Sequence, residues 1–115
     1  MQLFHWESMP VEQLSPTIGR QLVSGEKVMM ARVFLKQGAV VPAHKHESEQ
    51  ITFVLRGALE FEMEGRRIVV HTGEVLLIPS WVEHSAVALE DTDDLDVFSP
   101  IRHDWLRGDD QYLRG

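Results

Sequence analysis

Between residues 59 and 65 the chain reads Leu-Glu-Phe-Glu-Met-Glu-Gly, an alternation that fits a half-buried β-strand and no helix. Side chains at i and i+2 of a strand share a face, so Leu59, Phe61 and Met63 enter a core while Glu60, Glu62 and Glu64 meet water. Glu64-Gly65 then turns the chain into residues 66–70, which predicts a hairpin. Similar short runs recur along the chain. Residues 28–35 (VMMARVFL) end at Lys36-Gln37-Gly38, and residues 51–55 (ITFVL) stop at Arg56-Gly57. Residues 75–78 (VLLI) meet Pro79 and read as a buried strand, because their apolar run is unbroken. Residues 81–89 and 95–98 complete the set, joined by an acidic stretch, residues 90–94, read as a solvated loop. Helical periodicity is poor almost everywhere. The pattern predicts an all-β fold, a closed barrel of about eight strands whose closure removes exposed edges.

With 115 residues the chain is one domain, 1–115, and 43% hydrophobic content supplies a core. The first ~20 residues carry Pro10, Pro16 and Gly19 and are expected on the surface or at a sheet edge. Residues 106–115 are expected to be a flexible tail after at most a short helical turn. Net charge is −7, which argues against a nucleic-acid surface yet leaves room for a small anionic ligand held by one pocket arginine. No run of ~18 apolar residues offers a transmembrane helix, so no membrane partner is expected. The start, MQLFHWES, has neither the basic segment nor the apolar run of an export signal, and the cytoplasm is the default compartment. Cysteine is absent, which excludes thiolate metal sites and disulfides.

Chemistry concentrates in residues 42–57, PAHKHESEQITFVLRG. In a strand His44 and His46 project from one face, ~6.6 Å apart along the backbone, and two imidazoles at that spacing converge on one ion. Gln50 follows the polar stretch Glu47-Ser48-Glu49, and a turn there aims its carbonyl oxygen back at the same point. His84 arrives at the start of a later strand. Three imidazoles and an amide oxygen form a four-ligand protein set for one divalent ion, with Ni, Zn, Mn and Fe all compatible. His5, His71 and His103 stand alone and read as ordinary surface or hydrogen-bonded histidines.

Gly38, five residues, His44-Lys45-His46, three residues, Gln50, six residues and Gly57 resembles the first motif of the cupins. Gly73, five residues, Pro79 and then His84 resembles the second. The resemblance implies a double-stranded β-helix, jelly-roll-like barrel binding one divalent metal inside through His44, His46, Gln50 and His84. Two departures stand out. Gln50 occupies the place where most cupins have glutamate, and Trp81 and Ala88 stand where the second motif usually has glycine and asparagine. A neutral ligand set leaves the full charge of the ion available to polarise substrate oxygens, at the cost of weaker binding.

A second cluster lies in LDVFSPIR, residues 95–102. Asp96 is disfavoured inside a strand. Either it continues the acidic turn at a frayed strand start, or it points into the barrel as a general acid/base in an apolar setting. On the second reading Phe98 walls the pocket; Arg102 either closes its mouth, pairing with a carboxylate through its planar fork, or is a surface arginine. Gln21, Arg32, Thr52 and Arg56 are further candidates for the mouth, their direction hanging on strand register.

Together EQITFVLRGALEF, LIPSWVEHSAVALE and LDVFSPIRHDW are similar to the KdgF group of small cupins, over roughly residues 28–105. That family linearises 4,5-unsaturated uronate monosaccharides from pectin and alginate breakdown to 4-deoxy-5-keto sugar acids. The resemblance implies catalytic and substrate roles for Asp96, Phe98 and Arg102, an anionic sugar as small-molecule partner, and a homodimer, as small cupins often are. Two other readings stay open on the residues: a dioxygenase or lyase built on the same His/Gln metal set, and a non-catalytic sugar-binding module.

Overall fold

The computed structural model describes residues 1–114. Two antiparallel sheets face each other. A six-stranded sheet runs in the order β1 (Glu12–Ser15), β2 (Ile18–Ser24), β3 (Met29–Leu35), β10 (Thr92–Ser99), β5 (Glu49–Arg56), β8 (Val75–Ile78). A four-stranded sheet runs β4 (Val40–His44), β9 (His84–Ala88), β6 (Ala58–Met63), β7 (Arg66–His71). Among the described residues the only helices are a 3-10 turn at Trp6–Ser8 and two short α-helices, α1 (His103–Arg107) and α2 (Gln111–Arg114).

Period-two patterning explains the layers. Leu59 and Phe61 of β6 are buried, and Met63 packs on the same core, as the alternation requires. From the opposite sheet Leu35, Val54 and Phe98 reach into the same space. The β6–β7 hairpin turns at Glu64 and Gly65, both with positive φ (54° and 71°), the conformation that Gly favours in tight two-residue turns. Gly57 has a stricter requirement. Its φ is 110°, and a Cβ there would collide with the Thr92 side chain and the Asp91 carbonyl, so only glycine lets β6 start this close to β10.

Several expectations change. There are ten strands in two sheets, because residues 12–24 add β1, which lies at the edge of the six-stranded sheet, and β2. β8 is an edge strand, and its apolar run is not buried on both faces: Val75 and Leu77 point out while Ile78 points in. The acidic stretch is not simply a solvated loop. Thr92, Asp93 and Asp94 lie inside β10 and are buried. Residues 106–114, expected as a flexible tail, are packed against the barrel; Gly115 lies outside the described residues. Leu113 is buried, and fully buried Asp110 accepts from Arg20 Nη1 at 2.5 Å and Arg114 Nε at 2.7 Å. Removing one partner of such a buried pair typically costs ~3–5 kcal/mol, so this anchor holds the segment firmly. No helix of the described residues is long and apolar enough to cross a membrane.

Candidate metal centre and active site

The site forms at one end of the sandwich. β4 ends at His44, which pairs in register with His84 at the start of β9, and across the core Gln50 of β5 pairs with Phe98 of β10. His46 lies beyond the end of β4, so its convergence with His44 is made by a turn and not by the pleat of a strand. Buried Ser48 fixes that turn by donating to the Pro100 carbonyl. The ring centroids of His44 and His84 are 4.3 Å apart, and those of His46 and His84 5.1 Å.

Each imidazole is oriented by its own backbone. His44 Nδ1 faces the Pro42 carbonyl at 2.8 Å, His46 Nδ1 that of Ser48 at 2.8 Å, and His84 Nδ1 that of Val82 at 2.9 Å. A carbonyl only accepts, so each Nδ1 carries the proton and each Nε2 presents a lone pair inward. Burial pushes all three histidines toward the neutral form, His44 to about 3 and His46 to about 4, with the nearby Arg102 charge acting in the same direction. Ligand atoms of His44, His46 and His84 lie within 4.8 Å of one another, a group able to hold a metal ion.

Gln50 completes this arrangement. Thr52 Oγ1 donates its single proton to Asp96 Oδ1 at 2.7 Å and therefore accepts from Gln50 Nε2 at 2.9 Å. Gln50 Nε2 also lies 3.5 Å from Asp96 Oδ1. With its amide nitrogen committed there, Gln50 Oε1 faces His46 Nε2 at 3.1 Å. Two lone-pair acceptors thus oppose each other inside the barrel, and His84 Nε2 is buried with no partner at all. A cation between these atoms satisfies all of them, so the residues present fit a divalent metal.

Asp96 sits in the middle of β10 and points inward, buried, which rules out the frayed strand start. Burial raises its pKa, against the hydrogen bonds with Thr52, Asp94 and Gln50. Asp94, two residues earlier, faces the same cavity with Oδ1 unpartnered; burial and then the Asp96 charge push its pKa well up. Phe98 is a cavity wall, its ring edge-on to His46. Arg102 lines the cavity too. Its guanidinium lies 5.2 Å from the Phe98 ring and 4.8 Å from the Trp105 ring. Nε and Nη2 donate to Asp104 at 3.0 and 2.8 Å, Nη2 also donates to the Tyr112 hydroxyl at 2.7 Å, and buried Nη1 has no partner.

Among the other candidates only Thr52 belongs to the site. Gln21 holds the N-terminal segment through the Trp6 and Met9 carbonyls, Arg32 pairs with Asp93, and Arg56 is exposed at the end of β5. His5, His71 and His103 are exposed. Trp81 occupies the left-handed region at φ 64°, which accounts for glycine being usual there, and its N–H donates to the His46 carbonyl at 2.8 Å. Asp94, Trp105 and Tyr112 are cavity residues that the sequence pattern did not single out.

Residues 31–99 match the family model described as cupin domain. The chain is 33% identical over 103 residues to the pectin degradation protein KdgF of Dickeya dadantii, covering 87% of this chain and 94% of that one. A solved structure of KdgF from Halomonas superposes with a TM-score of 0.85 at 34% identity, covering 90% of this chain and 99% of that one. A cupin from Shewanella frigidimarina described as RmlC-like superposes with a TM-score of 0.86 at 24% identity, over 91% of this chain and 96% of that one, and bears on the fold alone.

Proposed function

We propose, for a chain that belongs to the cupins and to the KdgF group within them, that it opens the ring of a 4,5-unsaturated uronate monosaccharide to the 4-deoxy-5-keto sugar acid. One divalent metal is held by His44, His46, Gln50 and His84. The observation that carries the metal reading is the opposition of Gln50 Oε1 and His46 Nε2 at 3.1 Å beside the orphaned His84 Nε2. When bound, the metal supplies Lewis acidity to substrate oxygens.

The reaction is an isomerisation. C4 of the enol ether gains a proton, the anomeric hydroxyl loses one, and the bond from C1 to the ring oxygen breaks. That leaves a ketone at C5 and an aldehyde at C1, with no net water. Asp96 is the proton carrier: Thr52 and Gln50 engage Oδ1 and leave Oδ2 for the proton, and burial raises its pKa toward working pH. Proton transfer by a positioned acid contributes ~10²–10⁴-fold. Arg102 binds the substrate carboxylate through its free Nη1, and Phe98 beneath the guanidinium keeps water from the charge pair. The test is to mix metal-loaded protein with unsaturated galacturonate and follow the enol-ether absorbance. A rate equal to buffer, with the metal confirmed present, ends this reading.

The outer face of the six-stranded sheet supports the homodimer. Met30, Val97, Ile51 and Leu77 stand in register across four strands, and Phe53 and Val75 extend the patch. Met30, Ile51, Leu55, Val75 and Leu77 are each exposed by 38% or more. With the exposed Phe4 and Val28 beside Met30 at its border, this face is a contiguous apolar patch of the kind that marks an interaction surface. A second copy of this chain fits it best, since one patch then covers its equal about a two-fold axis.

A further inference from the structure

The cavity beside the histidines has a volume of about 50 Å³. Sites that enclose small organic ligands run to ~300–1,000 Å³, so this space takes a water or two and not a six-carbon sugar acid. One wall is a side chain that already behaves as a ligand would. The Tyr112 ring stacks on His44, centroids 4.4 Å apart and planes 27° from parallel. Its hydroxyl oxygen accepts from Arg102 Nη2 at 2.7 Å and from Trp105 Nε1 at 2.9 Å. Tyr112 therefore covers one candidate metal ligand and occupies the donor that an anionic oxygen would seek.

The surroundings of Tyr112 let its side chain leave while the backbone stays. Asp110 and Leu113 on either side are buried, and Asp110 is pinned by Arg20 and Arg114. Tyr112 itself is only partly buried. Arg102 is held independently by Asp104 through Nε and Nη2, so losing the phenol does not release the guanidinium. Its other edge, Nη1 with the second proton of Nη2, has the geometry of a bidentate carboxylate clamp.

We propose that Tyr112 is a gate that stands in for the ligand: a sugar acid enters by displacing the phenol from His44 and Arg102, and its carboxylate takes the freed edge of the guanidinium. The identity of the ligand rests on the sugar-acid reading above; the gate itself rests on the stacking and on the size of the cavity.

Two measurements on the full chain separate these claims. Diethyl pyrocarbonate acylates accessible neutral imidazoles, and peptide mapping of the metal-stripped full chain, in which no ion blocks His44, reads the rate at each histidine, with exposed His71 and His103 as references. Tyr112→Ala should raise the rate at His44 at least tenfold, whereas Tyr112→Phe, which keeps the ring, should leave it near the wild-type value. Equal rates in wild type and Tyr112→Ala overturn the gate. Calorimetry with D-galacturonate reads the displacement. Both variants should bind it about tenfold more tightly than wild type, because the competing phenol no longer holds Arg102. Unchanged or weaker affinity in both overturns the displacement. Absence of binding in all three proteins overturns the sugar-acid reading and the displacement together, while the His44 rates still decide whether Tyr112 covers the site.

Discussion

Gln50 Nε2 lies 3.5 Å from Asp96 Oδ1, and both side chains meet at Thr52 Oγ1, so a candidate metal ligand and the candidate proton carrier form one hydrogen-bonded unit. This gives the glutamine a second reason beyond the charge left on the ion. A glutamate at position 50 would face the Asp96 carboxylate with an acceptor and lose the donor to Thr52. Gln50→Glu should bind Co²⁺ or Zn²⁺ about tenfold more tightly or better, yet turn over unsaturated galacturonate ~10–100-fold more slowly. Metal titration and the enol-ether assay on the same preparation check both halves. Weaker metal binding with unchanged turnover would contradict this account of the site.

His84 gives the clearest metal test, because its Nε2 is buried and makes no hydrogen bond. His84→Ala removes one inward lone pair and leaves the β4–β9 pairing at His44 to the backbone. Elemental analysis should find about one divalent ion per chain in the wild type and well below one in the variant. Circular dichroism should show an unchanged barrel. Full metal content in His84→Ala would remove this residue from the ligand set.

Much of this site is visible in the chain because its spacing is local. His44 ends β4, His46 lies in the short connection that follows and Gln50 falls near the start of β5, while His84 opens a strand of its own. The inward direction of Asp96 was harder to read, since β10 inverts the usual pattern. Asp94 and Asp96 face the cavity while Leu95 and Val97 face out, so an alternation rule assigns the polar residues to water. Asp94 was hidden for the same reason, as part of a run of acids. Tyr112 and Trp105 leave a different kind of gap. They belong to helices of four and five residues, too short to show helical periodicity, and their position depends on Asp110 reaching Arg20 ninety residues away. Only the aromatic residues in a polar tail hinted at a docked segment.

Asp94 sets a pH dependence of stability. Burial and the neighbouring Asp96 raise its pKa, so the folded state keeps this proton after the unfolded chain has released it. The raised pKa adds stability fully below the unfolded value of about 3.9, and that contribution is lost as pH rises toward the folded value. Asp94→Asn cannot ionise and escapes the loss. At pH 7.5 its melting temperature should exceed that of the wild type by about 4 °C or more, the shift that ~1 kcal/mol produces in a domain of this size. The advantage should shrink on going to pH 4. Thermal melts across that range check the sign, and a variant that melts lower than wild type at pH 7.5 would show Asp94 to be held as a paired carboxylate.

The outward apolar residues of β10 lead to the last prediction. Leu95 and Val97 lie at the centre of the six-stranded sheet, flanked in register by Phe53 and Ile51 on β5 and by Arg32 and Met30 on β3. A strand whose polar residues line a cavity and whose apolar residues face away needs a cover on the second face, and within the single chain Leu95 and Val97 are only half-buried there. Ile51 is 43% exposed on the row that joins Val97 to Leu77, so a charge at this position meets its own copy near the two-fold axis. Ile51→Glu should therefore separate the dimer while sparing the barrel, because the side chain points away from the core. Light scattering should give twice the chain mass of 13.2 kDa for the wild type and the single-chain mass for the variant. His44, His46, Gln50 and His84 all come from one chain, so metal content should be unchanged. A wild type that is monomeric at micromolar concentration would leave this face without its partner and refute the assignment.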